Sequence, residues 1–209
     1  MSAPENPLLV LGSASPRRAA LMQQIGLPFV QWNSAAAEPE PGESAPAAHA
    51  LETARLKARA VQQAVRSRYG LDRPTIVIGA DTVVHLEGAV LGKPAGQADA
   101  ARMLRLLAGR THQVYTGVSL LCSDGQQVED CAETQVRMRP LSAGQIARYL
   151  ASGETADKAG AYGIQGSGAL LIERIEGCYY NVVGLPLALL STLLERAGYD
   201  FSIPSGTSP

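Results

Sequence analysis

The chain is poor in cysteine, lacks an excess of either charge and contains no long apolar run, and each of these scarcities removes a class of protein. Its three cysteines, Cys122, Cys131 and Cys178, are odd in number, far apart and outside any metal-ligand spacing. They predict neither a disulfide framework nor a thiolate zinc site, and they point to a reducing compartment. The three histidines, His49, His85 and His112, form no ligand spacing either. A formal net charge of -1 argues against a surface that coats a nucleic acid polymer or an anionic membrane, because such surfaces need clustered, unbalanced cations. Any anionic ligand must then be met by a local basic site. No apolar stretch approaches the roughly 20 residues of a membrane span. The opening MSAPENPLLVLG has no charged segment ahead of a long apolar one, so a cytoplasmic protein is expected. With no internal repeat and no low-complexity linker, residues 1–209 are expected to form one domain, its core over about residues 8–198 and its ends frayed.

What is present is an ordinary globular composition, 46% hydrophobic and 18% charged, in which short apolar runs alternate with helical patterns. Leu8 to Leu11 read as a buried strand ending at Gly12. Ser15 and Pro16 then read as the cap and first residue of a helix that Gly26 closes. FVQW resumes an extended pattern, Ser34 to Ala48 read as an exposed loop, and a helix follows from about Ala48 to Arg68. Thr75 to Ile78 predict a second buried strand, broken by Gly79 and leaving Asp81 at its end. A hairpin turn is expected near Glu87-Gly88, a loop over Gly92 to Gly96, and a helix over about Asp99 to Leu107. Val114 to Leu121 and Glu133 to Arg139 look like antiparallel strands around the turn Ser123-Asp124-Gly125. A helix near Ser142 to Ser152, a glycine-dense segment from Gly160 to Gly168, a strand, a turn at Gly177 and a last helix from Leu185-Pro186 to Gly198 complete the pattern. Interleaved strands and helices predict an α/β fold with a mixed sheet.

Several segments can carry chemistry. In Gly12-Ser13-Ala14-Ser15-Pro16-Arg17-Arg18, small residues permit close approach, a helix N-terminus offers N–H groups, and two guanidinium groups stand beside it, which suits a phosphate. The same residues also suit a tight strand-to-helix turn with solvated arginines. Asp81 in Gly79-Ala80-Asp81-Thr82 either caps a turn or faces a cleft, where it could bind a metal or take a proton from water. Glu38, Glu52, Lys57 and Lys93 add charge; Glu52 and Lys57, five apart, lie only loosely on one helix side, and Lys93 sits in the restricted Gly92-Lys93-Pro94. Gln165, between apolar and glycine residues, can present its amide edge to a ligand.

Taken together, GSASPRR, ARLKA, GADTVV, GKP, DKAGAYGIQG and GCYYNVVGLP resemble, in order and over nearly the whole chain, the Maf family of nucleotide pyrophosphatases. The resemblance implies a mixed twisted sheet with flanking helices, in two lobes around a central cleft, similar to inosine triphosphate pyrophosphatases. It implies that Asp81 is the catalytic base and, with Glu38, a ligand of a divalent magnesium or manganese ion. Ser13, Arg18, Lys57 and Lys93 match the phosphate and metal site. Arg17, Thr82 and Gln165 match positions of substrate choice in the branch that hydrolyses dTTP and UTP to the monophosphate and pyrophosphate. Ala37 and Pro39 flank Glu38 where the family often has consecutive acidic residues. A homodimer is a further expectation of the family. Rival readings are hydrolysis of 7-methylguanosine triphosphate, a nucleotidyltransferase, and a nucleotide-sensing interaction protein linked to cell division.

Overall fold

The computed structural model describes residues 6–34, 36, 37, 39, 45–69 and 74–202. The chain runs β1 (Leu8–Leu11), α1 (Pro16–Gln24), β2 (Phe29–Gln31), α2 (Pro46–Tyr69), β3 (Thr75–Leu86), β4 (Ala89–Leu91), α3 (Gln97–Leu107), β5 (Thr111–Cys122), β6 (Gln127–Met138) and α4 (Ala143–Ala151). Two short 3₁₀ turns (Ala159–Ala161 and Gly166–Leu171), β7 (Ile172–Glu176), α5 (Tyr179–Val183) and α6 (Leu187–Arg196) complete it. Local chemistry explains the joints. Ser15 caps α1 by accepting from the Arg18 backbone N–H, with Pro16 as first helical residue. Ser142 and Gln145 form a reciprocal capping box on α4. Glu87 and Gly88, at φ 49° and 84°, make the two-residue turn between β3 and β4.

The sheet order is β2-β1-β3-β5-β6-β7, with β4 also paired to β3. β1 lies parallel to β2 and β3, and the remaining pairs are antiparallel, so the sheet is mixed as expected. One expectation is corrected here. Gly79 does not break the second strand: β3 continues unbroken through Asp81 to Leu86, pairing with β5 from Ile76 to His85. The glycine answers to packing. A Cβ on Gly79 would lie 2.2 Å from the Ala54 carbonyl oxygen, and one on Gly117 would lie 2.5 Å from the Ala50 carbonyl carbon. Both glycines let α2 press directly onto the sheet, and the helix meets them with buried Ala50, Ala54 and Ala58, spaced one turn apart.

Two apolar clusters divide the molecule into lobes along the shared strands β3, β5 and β6. One gathers Leu9, Leu11, Met22, Ile78, Leu120, Leu190 and Leu193 from β1, α1, α6 and one half of the long strands. The other gathers Val84, Leu91, Leu104, Leu107, Val136, Met138 and Ile146 around the opposite half, under α3 and α4. On the other face of the first lobe, Val10, Val77 and Leu121 pack under Ala58, Val61 and Val65 of α2.

The second lobe buries His112 completely, its Nε2 2.6 Å from the Tyr162 hydroxyl and its Nδ1 without a hydrogen-bond partner. Burial pushes its pKa down from 6.5 to about 4. Above pH about 7.5 the ring is neutral in folded and unfolded chains alike and adds no pH dependence. Below that, the unfolded ring binds a proton that the folded ring refuses, so stability falls as pH falls toward 4. The expected loss from this group between pH 7.5 and 5 is about 2 kcal/mol. Denaturant melts at the two pH values should show that His112→Gln loses less stability over this interval than the wild type. Equal losses would remove His112 as a source of acid sensitivity.

Candidate active site

The site arises from an interruption along one edge of β3. β1 accompanies β3 as far as Ile78, whose carbonyl accepts from Gly12 N at 2.8 Å, and β4 pairs with β3 only from Val84 onward. Residues 79–83 have no strand beside them on that edge, and a cavity of about 570 Å³ opens there between the lobes. Because side chains alternate across a strand, this slot reaches both faces of the sheet. Val77, Gly79 and Asp81 face α2, while Ile78, Ala80 and Thr82 face the α1 and α5 side.

On the α2 face, Lys57 Nζ donates to Asp81 Oδ1 at 2.7 Å, and the two side chains are only 12% and 13% exposed. His49, Thr53 and Lys57 follow one another at intervals of four residues and all line the cavity, so they form one stripe along α2. Thr53 Oγ1 is buried without a hydrogen-bond partner. Glu52 points elsewhere: it is exposed and absent from the lining, as its five-residue offset from Lys57 allows.

On the opposite face the buried Arg18 guanidinium joins three segments. Its Nε donates to the Gly184 carbonyl at 2.7 Å, Nη1 to Ser13 Oγ at 3.2 Å and Nη2 to Thr82 Oγ1 at 3.0 Å. Ser13 Oγ accepts a second bond from Ser15 N at 3.2 Å, so its own hydrogen is directed to neither donor. Thr82 Oγ1 in turn lies 2.9 Å from Thr116 Oγ1, and Thr116 donates to the Asn181 backbone carbonyl at 3.1 Å.

At the mouth, Asp157 accepts from Arg17 Nη1 at 2.6 Å and from Lys158 Nζ at 2.7 Å. Burial alone would raise the Asp157 carboxyl, but the bonds from Lys158 and Arg17 outweigh it and hold its pKa below the ordinary value. This pairing ties α1 of one lobe to the segment that carries Gln165 in the other. Gln165 and Lys93 are exposed residues of the lining, and the Gly92 carbonyl of the Lys93 loop accepts from Gly160 N at 3.0 Å. Ser13, Arg17, Arg18, Lys57, Asp81, Thr82, Lys93 and Gln165 therefore meet around one cavity, and Glu38 lies outside the described residues. Thr116, Asn181 and Asp157 were not singled out from the sequence. Asn181, a polar residue in the apolar run YYNVVGL, was the readable signal among them.

Among the described residues no three His, Cys, Asp or Glu side chains group as metal ligands. Asp81 and Asp157 are the carboxylates that the described lining supplies. Such a supply fits magnesium, which binds through one or two carboxylates and substrate phosphates while retaining water. Among the described residues, no helix is long and apolar enough to cross a membrane.

The model of the Maf family, described as Maf-like protein, matches residues 8–197. A dTTP/UTP pyrophosphatase of Moorella thermoacetica is 49% identical over 193 residues, covering 92% of this chain and 96% of that protein. A dTTP/UTP pyrophosphatase of Deinococcus radiodurans is 46% identical over 199 residues, covering 95% and 97%. A nucleoside-triphosphatase or dITP/XTP pyrophosphatase of Mycobacterium abscessus, of known structure, is a remote likeness at TM-score 0.41 and 14% identity, covering 94% of this chain and 97% of its own. With a family match over nearly its whole length and relatives close to half identical across it, the chain belongs to the Maf family.

Proposed function

We propose that the chain is a nucleoside triphosphate pyrophosphatase that hydrolyses dTTP and UTP to the monophosphate and pyrophosphate. The observation that carries the reading is the Asp81–Lys57 pair, held inside a cavity bordered by Arg17, Arg18, Lys93 and Lys158. Relatives 44–49% identical bear the name dTTP/UTP pyrophosphatase, which supports the same chemistry here. In this reading water adds at the α-phosphorus, the bond to the α–β bridging oxygen breaks, and pyrophosphate leaves with that oxygen. Asp81 accepts the proton of the attacking water. Lys57 orients the Asp81 carboxylate through the 2.7 Å bond, while Arg18, Lys93 and the Ser13 hydroxyl hold phosphate oxygens and offset the charge that develops on the leaving group. Asp81, with Glu38 as the second carboxylate, would hold a divalent magnesium or manganese ion. When bound, such an ion polarises phosphate oxygens and neutralises triphosphate charge. The two lobes work as one domain. A cytoplasmic location agrees with the three free cysteines, and a homodimer remains part of the reading on family grounds. Neither a nucleic acid polymer nor a membrane is its target.

Asp81→Asn should remain folded and lose essentially all turnover, because the amide cannot take the proton and is a weaker metal ligand. Melting curves beside activity measurements separate folding from chemistry; near-normal hydrolysis by a folded variant would remove Asp81 from the mechanism.

Activity should vanish in chelator and return with magnesium or manganese, with pyrophosphate as the first product. Product analysis that finds nucleoside diphosphate first would overturn the cleavage site, and full activity in chelator would overturn the metal.

The base preference should follow Gln165, whose amide offers a donor and an acceptor side by side to the N3–H and a carbonyl of uracil or thymine. Purine and 7-methylguanosine triphosphates should be poorer substrates, on grounds of size. Gln165 is exposed in the free protein, so Gln165→Ala removes the two bonds to the base, each worth about 1 kcal/mol net, and should lower specificity for dTTP and UTP by roughly tenfold. Steady-state kinetics over a nucleotide panel checks this, and unchanged selectivity in the variant would refute it.

A further inference from the structure

We propose that Thr116 and Asn181 are positioning residues that set the direction of hydrogen bonding through Thr82, so that Thr82 offers the substrate an acceptor and a methyl group but no donor. The proposal rests on the reading above in one respect, that Thr82 borders the nucleobase.

A hydroxyl carries a single hydrogen, which lets the direction of the chain be deduced from its ends. Arg18 Nη2 can only donate, so Thr82 Oγ1 accepts at that 3.0 Å contact. The backbone carbonyl of Asn181 can only accept, so Thr116 donates at 3.1 Å. The 2.9 Å contact between the two threonine hydroxyls must then take its hydrogen from Thr82. Reversing that bond would turn the Thr116 hydrogen away from the Asn181 carbonyl, in a place where both residues are fully buried and water cannot replace it. The hydrogen of Thr82 is thus committed to the protein, and a lone pair and the methyl group are what its side chain can show the cavity it lines.

Asn181 supplies the fixed end of this chain. Its Nδ2 donates to the Val114 carbonyl at 3.0 Å and to Thr134 Oγ1 at 2.9 Å, which fastens α5 to β5 and β6. Thr134 is itself fully engaged, accepting from Cys178 N at 3.0 Å and donating to the Cys178 carbonyl at 3.2 Å. The backbone carbonyl of Asn181 is therefore held against Thr116 by the bonds of its own side chain and by the Thr134–Cys178 bonds at the start of its helix. Thr116 stands opposite Thr82 in the register of β3 and β5, so the two hydroxyls share one face.

The chemical consequence is selection at one ring position. Uracil and thymine carry a hydrogen on N3, which the Gln165 oxygen and the Thr82 oxygen can share as a bifurcated bond; cytosine carries a lone pair there, which the same wall repels. Gln165 alone cannot make this distinction, because its amide can rotate to exchange donor and acceptor. Fixed polarity at Thr82 can.

The test compares kcat/KM for UTP and CTP in the wild type, Thr116→Val and Thr116→Ser, with melting curves for each. Valine keeps the shape of threonine and removes the acceptor, freeing the Thr82 hydrogen to turn into the cavity, and the UTP-to-CTP ratio should fall by roughly fivefold or more. Serine keeps the hydroxyl and should hold the ratio within about twofold of the wild type, on the same hydrogen-bond reasoning. A purely structural role would lower both substrates together and leave the ratio unchanged. Should Thr116→Val not fold, Thr116→Ala makes the same comparison with a smaller side chain. A wild-type preference that survives in the folded valine or alanine variant, or that serine loses as fully as valine, overturns the proposal alone. A wild type with no preference for UTP over CTP overturns the reading of the nucleobase site, and the proposal with it.

Discussion

The close seating of α2 on the sheet is the constraint on which the rest of the site depends. Gly79 and Gly117 sit where any side chain would collide with the helix backbone, and Ala50, Ala54 and Ala58 are the residues that α2 turns toward them. This contact brings Lys57 to Asp81. A longer side chain at either glycine would lift the helix by about the width of a methyl group and stretch a 2.7 Å charged bond beyond hydrogen-bond range. The pair is too buried for its members to be indifferent to each other's loss, since removing one leaves the other charge poorly solvated. Packing of small residues therefore sets the electrostatics, and not the reverse.

The interrupted edge of β3 turns that local geometry into a site with two chemically different walls. Asp81 and Thr82 are neighbours in sequence and lie on opposite faces of the sheet, yet both line one cavity because no strand closes the gap between β1 and β4. One wall holds the carboxylate and the lysine of α2; the other holds the buried arginine and a chain of neutral hydroxyls. In the proposed reading the cations of both walls, Lys57 and Arg18, lie toward the phosphates, and the Thr82 hydroxyl beside Arg18 is left for the neutral part of the substrate.

Much of this was legible in the sequence where the signal is local. Caps, turn residues and apolar runs marked α1, the β3–β4 turn, the β5–β6 pair and the last helix, because Ser15-Pro16, Glu87-Gly88 and Ser123-Asp124-Gly125 act within a few residues of themselves. Gly79 misled because a glycine inside an apolar run has two physical meanings, a break or a close approach, and only the position of α2 decides between them. α5 escaped because five residues are too few to show a helical period. Candidate residues with charge or unusual flanks stood out, and they do meet around the cavity. Thr116 did not stand out, since its importance lies in a contact 65 residues away along the chain with no local pattern to announce it, and Asn181 showed only as a lone polar residue in an apolar run, its contact 67 residues away being invisible locally.

The two arginines of Gly12 to Arg18 show why adjacent residues of one type can serve a site differently. Arg18 is buried and held by bonds from three of its nitrogens to three separate segments, so its charge stands at a fixed place with no reorganisation left to make. A charge held this way acts on developing charge in a transition state, and salt screens it weakly. Arg17 instead meets Asp157 at the mouth, partly in solvent, where screening is stronger and the bond can exchange for one to an incoming phosphate, whereas Lys158, on the same carboxylate, is largely buried and also donates to the Glu154 carbonyl at 2.6 Å. Asp157 offsets the charge of both cations at the rim. In the proposed reading the buried Arg18 charge would serve the chemical step and the more exposed Arg17 the capture of the polyanion.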